Sequence, residues 1–215
     1  MFKKKTFNEV MLEKYSQDAS FETIEAYNSL VSNIINLSSE NTIKSIAVTS
    51  STYGEGKVSL AINLAVALAY NLLDKKILLL DSDLRMAKVS EFVLPEAKEG
   101  ISNFLASDNS APQIFKSEIK NLDVIVAGDV KSNPTGLLRS DKMGLALAAL
   151  EEKYDYIIID TAPINDYADA LFLTDRVAGY IVSTKKKVSS VSKIDLATDR
   201  IESAGAKVLG LVFSE

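Results

Sequence analysis

A chain of 215 residues that is 47% hydrophobic and 25% charged has enough apolar material for a real core and too much for a disordered protein. Its 24 basic and 29 acidic side chains leave a formal net charge of -5, so a nucleic acid would meet an unfavourable overall field with no basic stripe to relieve it. Cysteine and histidine are both absent, which excludes disulfides, thiolate chemistry and the usual zinc ligands and leaves Asp, Glu, Lys and backbone groups to carry any chemistry.

Residues 1–20 have no sustained period and read as an N-terminal arm. Residues 21–215 offer no good linker to cut at and read as one domain. The runs Lys3 to Lys5 and Lys185 to Lys187 read as solvated faces. No apolar run approaches the roughly 20 residues of a membrane span, and the N-terminus lacks a signal-peptide core, so a cytoplasmic protein is expected. Attachment at the inner face of a membrane through a partner stays open.

In chain order, "FETIEAYNSLVSNIINLS" places Ile24, Tyr27, Leu30, Val31 and Ile34 at steps of three and four and predicts an amphipathic helix. "TIKSIAVTSS" is a β-branched strand, "TYGEGK" a glycine loop, and "KVSLAINLAVALAYNLL" a helix with Leu60, Ala61, Leu64, Ala65, Leu68 and Ala69 on one face. "KKILLLDSDLR" is a strand with the continuous apolar run expected where both faces are covered. "GISNFLAS" and "PQIFKSEI" read as short helices, "NLDVIVAG" as a third strand, and "NPTGLLRSDKMGLALAALEEKY" as one helix beginning near Pro134. "YDYIIIDTAP", "RVAGYIVSTK" and "AKVLGLVF" complete six strands, separated by "YADALFLTD" and a helix over "SSVSKIDLATDRIESAG". The alternation predicts an α/β protein of three layers, α/β/α, with a mostly parallel central sheet, and the glycine loop between its first strand and the next helix makes the expected form a P-loop NTPase fold.

Gly54 and Gly56 let successive backbone N–H groups of the loop, through Glu55, turn toward an anion, Lys57 can reach the β and γ phosphates, and the next helix presents its positive end. Val58 follows the lysine where a working site has Ser or Thr to hold Mg²⁺, and an isopropyl group offers the metal no oxygen. Ser59 is the nearest hydroxyl, one helical step away and rotated off the site. Asp81 and Asp83 follow the second strand, where two carboxylates beside phosphate make sense around a metal or as a base with a metal-holding partner. Arg85 could meet a phosphate or a neighbouring subunit, and Asp160 ends the "YIIID" strand as an expected Mg²⁺-holding carboxylate.

"VTSSTYGEGK", "LLLDSDLR" and "YIIIDTAP", in that order, resemble the three nucleotide motifs of bacterial protein-tyrosine kinases, the cytoplasmic autokinases of capsular and exopolysaccharide synthesis, within the MinD- and ParA-like P-loop ATPases. The likeness runs from about Glu25 to the end. It implies an ATP/ADP and Mg²⁺ site, a ring of subunits, a tyrosine-containing protein substrate, and a membrane adaptor of the polysaccharide chain-length control type. By match of motif, Lys57 would hold phosphate, Asp81 would assist activation of the tyrosine hydroxyl, and Asp83 and Asp160 would orient Mg²⁺.

The chain departs from the family pattern at several places. Tyr53 replaces a proline, Val58 the hydroxyl residue, and Ala87 a further proline. Glu25 is followed by Asn28 and Val31 where the family has two arginines for subunit contact, so a monomer or dimer is expected instead of a closed ring. Ser214 stands where an Asn would read adenine, and none of the eight tyrosines lies beyond Tyr180, so the C-terminal tyrosine cluster is missing from this sequence, by nature or by truncation. These departures predict impaired Mg²⁺-dependent transfer, with a non-catalytic pseudokinase scaffold as the alternative. A MinD/ParA-like positioning ATPase is a third reading, opposed by Thr52 at that branch's signature lysine position.

Overall fold

The computed structural model describes residues 20–40, 43–94, 96–108, 111–129 and 133–214; most of the expected N-terminal arm, with Lys3 to Lys5, lies outside them. Helices α1 (Phe21–Glu40) and α2 (Lys57–Asn71) flank β1 (Ser45–Ser50) in sequence, and β2 (Ile77–Asp81) follows. Short helices α3 (Lys88–Val93) and α4 (Ile101–Leu105) lead to β3 (Phe115–Lys116) and β4 (Leu122–Ile125). Then come α5 (Pro134–Arg139), α6 (Asp141–Glu151), β5 (Tyr156–Asp160), a 3₁₀ turn over Asp169–Leu173, β6 (Gly179–Lys185), α7 (Val191–Ser203) and β7 (Val208–Ser214).

The strands form one sheet in the order β3-β4-β2-β5-β1-β6-β7, parallel except for the β3–β4 pair. Alternate side chains of its inner strands feed two opposite layers, as a period of two requires. Ile46, Val48, Ile77, Leu79 and Ile158 face α1 and α2. Leu78, Leu80, Ile157 and Ile159 face α4 and α6. This is the predicted α/β/α sandwich. Inserting β5 between β2 and β1 has a functional consequence: Asp160 pairs in register with Asp81 on one side and Val48 on the other, beside the loop that leaves β1.

Helix α2 is buried nearly all round, with Ile62, Val66 and Ala67 covered as well as the predicted face, because α1 packs over its outer side. Val31 and Ile34 of α1 enter that core, and Tyr27 packs against it, its hydroxyl accepting from Asn63 Nδ2 at 3.3 Å.

Three local expectations are corrected. "PQIFKSEI" is not a helix. Phe115 and Lys116 pair antiparallel with Val124 and Asp123, Phe115 packs on the core, and Lys116 Nζ meets Asp123 at 2.7 Å, so tertiary pairing outweighs local pattern. The helix expected from Pro134 is two helices. Ser140 breaks it in an extended conformation and caps α6 by accepting from the Met143 amide at 3.3 Å. "YADALFLTD" forms the 3₁₀ turn.

Candidate functional site

The loop between β1 and α2 is built by two glycines and one buried acid. Gly54 and Gly56 have φ of 86° and 83°, a region in which an L side chain is strained. Glu55 is fully buried, and its carboxylate accepts from the Ser51 amide (2.7 Å), the Ser51 hydroxyl (2.7 Å) and the Thr52 amide (3.1 Å). Its carbonyl accepts from Ser183 of β6 at 2.6 Å. Glu55 was expected in the cofactor site through its place in the loop; its side chain folds back and braces that loop, leaving its amide with the loop backbone. No side chain caps the N-terminus of α2, so its first amides face the loop's mouth with the positive end of a 15-residue helix behind them.

Lys57 is the first residue of that helix and is 5% exposed. Its ammonium lies 2.7 Å from Asp83 Oδ2 and 3.3 Å from Asp160 Oδ2. Burial pulls its pKa down, and Asp160 and Asp83 more than reverse the effect, leaving it above the ordinary lysine value. Asp81, Asp83 and Asp160 are all fully buried. Asp81 accepts from the amides of Asp83 (3.0 Å) and Val89 (3.2 Å), and Asp83 Oδ1 from those of Arg85 and Met86, both at 3.2 Å. Burial, and then the charges of Asp160 and Asp83, hold Asp81 well above the carboxylate range. Burial likewise pushes Asp160 up to about 7, against the opposing effect of Lys57.

Asp83 and Asp160 contact one ammonium and Asp81 is buried beside them, so the fully ionised cluster would carry an excess of negative charge, which is why the Asp81 and Asp160 carboxyls hold their protons more tightly than usual. A divalent cation would neutralise that excess, and a polyphosphate on the loop would draw Lys57 toward itself. The residues therefore fit a nucleotide with Mg²⁺. Among the described residues no group of three or more His, Cys, Asp or Glu side chains is arranged to hold a metal ion by itself.

The remaining predicted residues are placed as follows. Val58 is half-buried and packs on the apolar layer between α1 and α2, while Ser59 is exposed. Ser214, at the end of β7, lies beside the loop: a Cβ built on Gly56 would come 3.6 Å from its Oγ, which donates to the Thr184 carbonyl at 3.2 Å. Arg85 is held by groups the sequence reading missed. Its Nε meets the buried Asp169 at 2.5 Å, one terminal nitrogen donates to Thr135 at 3.0 Å, and its guanidinium lies 4.1 Å from the centre of the Tyr167 ring. The signal for Asp169 was an acid inside the apolar stretch "ADALFL", where burial demands a partner.

A cavity of about 620 Å³ lies at the other end of the sheet, lined by Lys44, Leu147, Glu151 and Arg176 among others. Its cations are already engaged, Lys44 by the Glu151 carbonyl (2.6 Å) and Arg176 by those of Leu138 and Ser140 (3.1 and 3.2 Å). The chemistry belongs to the loop end.

A family model described as an AAA domain matches residues 43–204. The tyrosine-protein kinase CpsD of Streptococcus pneumoniae is 34% identical over 193 residues, covering 89% of this chain and 83% of that protein. The kinase domain of the Escherichia coli tyrosine kinase ETK superposes with a TM-score of 0.87 at 25% identity, over 98% of this chain and 82% of that one. The chimerical protein CapA2B2 does so with a TM-score of 0.82 at 29% identity, over 95% and 88%.

Proposed function

Because the chain belongs to the bacterial tyrosine-protein-kinase family of P-loop ATPases, related to kinases of capsular and exopolysaccharide biosynthesis, we propose that it binds ATP with Mg²⁺ and that Val58 weakens its phosphoryl transfer. The observation that carries this reading is the buried Lys57–Asp83–Asp160 cluster at the mouth of a glycine loop and an uncapped helix.

In this reading the loop amides of residues 54–59 and Lys57 bind the phosphates, and Asp83 and Asp160 hold the metal. Bound Mg²⁺ would neutralise charge on the transferred group. Asp81, whose two oxygens are fixed by the amides of Asp83 and Val89, positions the turn that carries Asp83 and, by match of motif, would assist activation of the tyrosine hydroxyl. Arg85, tied to Asp169, shapes the rim of the same opening. The pocket is set for placement and electrostatic stabilisation, which supply most of the catalysis in phosphoryl transfer. We take the acceptor to be a tyrosine of another protein. The chain would act at the inner face of the membrane through an adaptor of the chain-length control type, with Ser214 beside the base.

A second reading, a pseudokinase scaffold on such an adaptor, is favoured by Val58: it packs inward, and exposed Ser59 supplies no substitute oxygen. Calorimetry and hydrolysis assays separate the two. Val58→Ser is expected to steepen the Mg²⁺ dependence of ATP binding and to raise hydrolysis by about tenfold or more, the return of one charge-assisted contact. Absence of ATP binding in both proteins would leave the scaffold as the answer.

A further inference from the structure

Tyr53, at the outer turn of the loop, has no part in the roles assigned above. Its ring centre is 6.0 Å from the Lys57 ammonium. On its other side it meets Tyr167 edge-on, with ring centres 6.0 Å apart and planes at 65°, and Tyr167 in turn backs onto the Arg85 guanidinium. The ring is thus held across the mouth of the cluster by aromatic and cationic neighbours.

Its hydroxyl is a different matter. It is buried and has no hydrogen-bond partner among the described residues. Such groups are rare in folded proteins because desolvating an unmatched donor is unfavourable. The carboxylates in its surroundings are already engaged: Asp83 by Lys57 and by the Arg85 and Met86 amides, Asp166 by the Thr52 hydroxyl at 3.0 Å. Burial first, and then the charge of Asp83, raise the phenol above its ordinary pKa, so the group carries its proton and is a donor in search of an acceptor.

The acceptor that this place suits is an anionic oxygen. The α2 amides and the loop cradle the inner phosphates of a polyphosphate, and Lys57 reaches the outer ones. The Tyr53 ring neighbours the Lys57 ammonium, the group that reaches the outer phosphates, so its hydroxyl belongs with the outermost phosphoryl group and not with the inner ones. A neutral donor there adds a contact without a further cation to compete for Asp83.

We propose that Tyr53 is a specificity residue for the terminal phosphate, its hydroxyl donating to an oxygen of the third phosphoryl group so that the protein distinguishes ATP from ADP. This rests on the nucleotide reading above. The ring alone would serve as a lid or a cation–π neighbour, and the conservative variant Tyr53→Phe keeps both of those functions while removing the donor. Because it deletes an unmatched buried hydroxyl, Tyr53→Phe is expected to fold with an unchanged thermal midpoint.

The experiment is calorimetry in Mg²⁺ with ADP and with the non-hydrolysable β,γ-imido analogue of ATP, on the native protein and on Tyr53→Phe. The expected result is a loss of about tenfold or more in affinity for the analogue, the range for a hydrogen bond to a charged group, with ADP affinity unchanged. Equal losses for both ligands would mean that the hydroxyl acts on loop shape, and no loss for either that it has no role; each overturns the proposal. If the native protein binds neither ligand, the nucleotide reading itself has failed, and that result is recognisable because it does not depend on the variant.

Discussion

Glu55 and Lys57 lie two residues apart and are both buried, yet they point their charges to opposite sides of the loop. The lysine faces the cluster of carboxylates, and the glutamate faces the backbone of residues 51 and 52. Replacing Glu55 by Gln keeps the shape but removes the charge from three accepted hydrogen bonds and leaves an amide NH₂ facing other donors. We expect Glu55→Gln to destabilise the protein by about 1–3 kcal/mol in urea unfolding and to weaken ADP binding as the loop loosens; an unchanged midpoint would contradict the bracing role. From sequence this residue is indistinguishable from a ligand-facing one, since position in a glycine loop does not say which way a side chain turns. Lys57, Asp83 and Asp160 were legible because strand ends and a loop spacing bring them together almost regardless of detail. Asp169 and Tyr167, which hold Arg85, were not, because their meeting depends on how the 3₁₀ turn packs.

At the scale of elements, the inner strands were readable because a strand covered on both faces must be apolar throughout, and Ile46 to Val48, Ile77 to Leu80 and Ile157 to Ile159 are. Edges were not. β3 owes its existence to Phe115 finding the core and Lys116 finding Asp123, contacts invisible to a local window. Ser140 followed by Asp141 was a legible start signal for α6, read past because the apolar period runs through it. A single side chain joins several elements at the opposite end from the site: Asn121 Nδ2 donates to the carbonyls of Ala69, Leu72 and Lys75 at 3.1, 3.0 and 2.9 Å, closing the end of α2 and the turn into β2. Asn121→Ala removes the two N–H donors that these three carbonyls share, of which that of Leu72 keeps the Lys75 amide as a partner. The expected loss is about 2 kcal/mol of unfolding free energy, with nucleotide affinity untouched; a variant as stable as the parent would show that water replaces the amide at no cost.

For the whole molecule, we propose a monomer or dimer, on an argument from two side chains of α1. Val31, at one of the family's arginine positions, is 2% exposed and faces α2, and Asn28 is tied to Glu25 at 3.0 Å and to Asn71 at 3.1 Å. Neither side chain is presented to a neighbouring subunit as a forked cation would be. Light scattering at micromolar concentration is expected to give no discrete closed ring. Val31→Arg should not create one, because it forces a charge into a packed layer and should cost several kcal/mol of stability before any contact with a neighbour is gained.

The two ends of the sheet differ in how well their polar groups are satisfied. At the end where β1 begins, carbonyls and cations are matched by Asn121, Lys44 and Arg176. At the other, Asp83 and Asp160 share one ammonium with Asp81 buried beside them, and a tyrosine hydroxyl stays unmatched. In landscape language, this conflict is concentrated at the mouth of the site. Local opening should therefore start there: in ligand-free protein, amide hydrogen exchange over residues 51–57 and 82–87 should run ahead of that in β5, and Mg²⁺ with ADP should slow it chiefly in those two segments. Residues that make the site receptive to a charged ligand thus also set the place where the fold first lets water in.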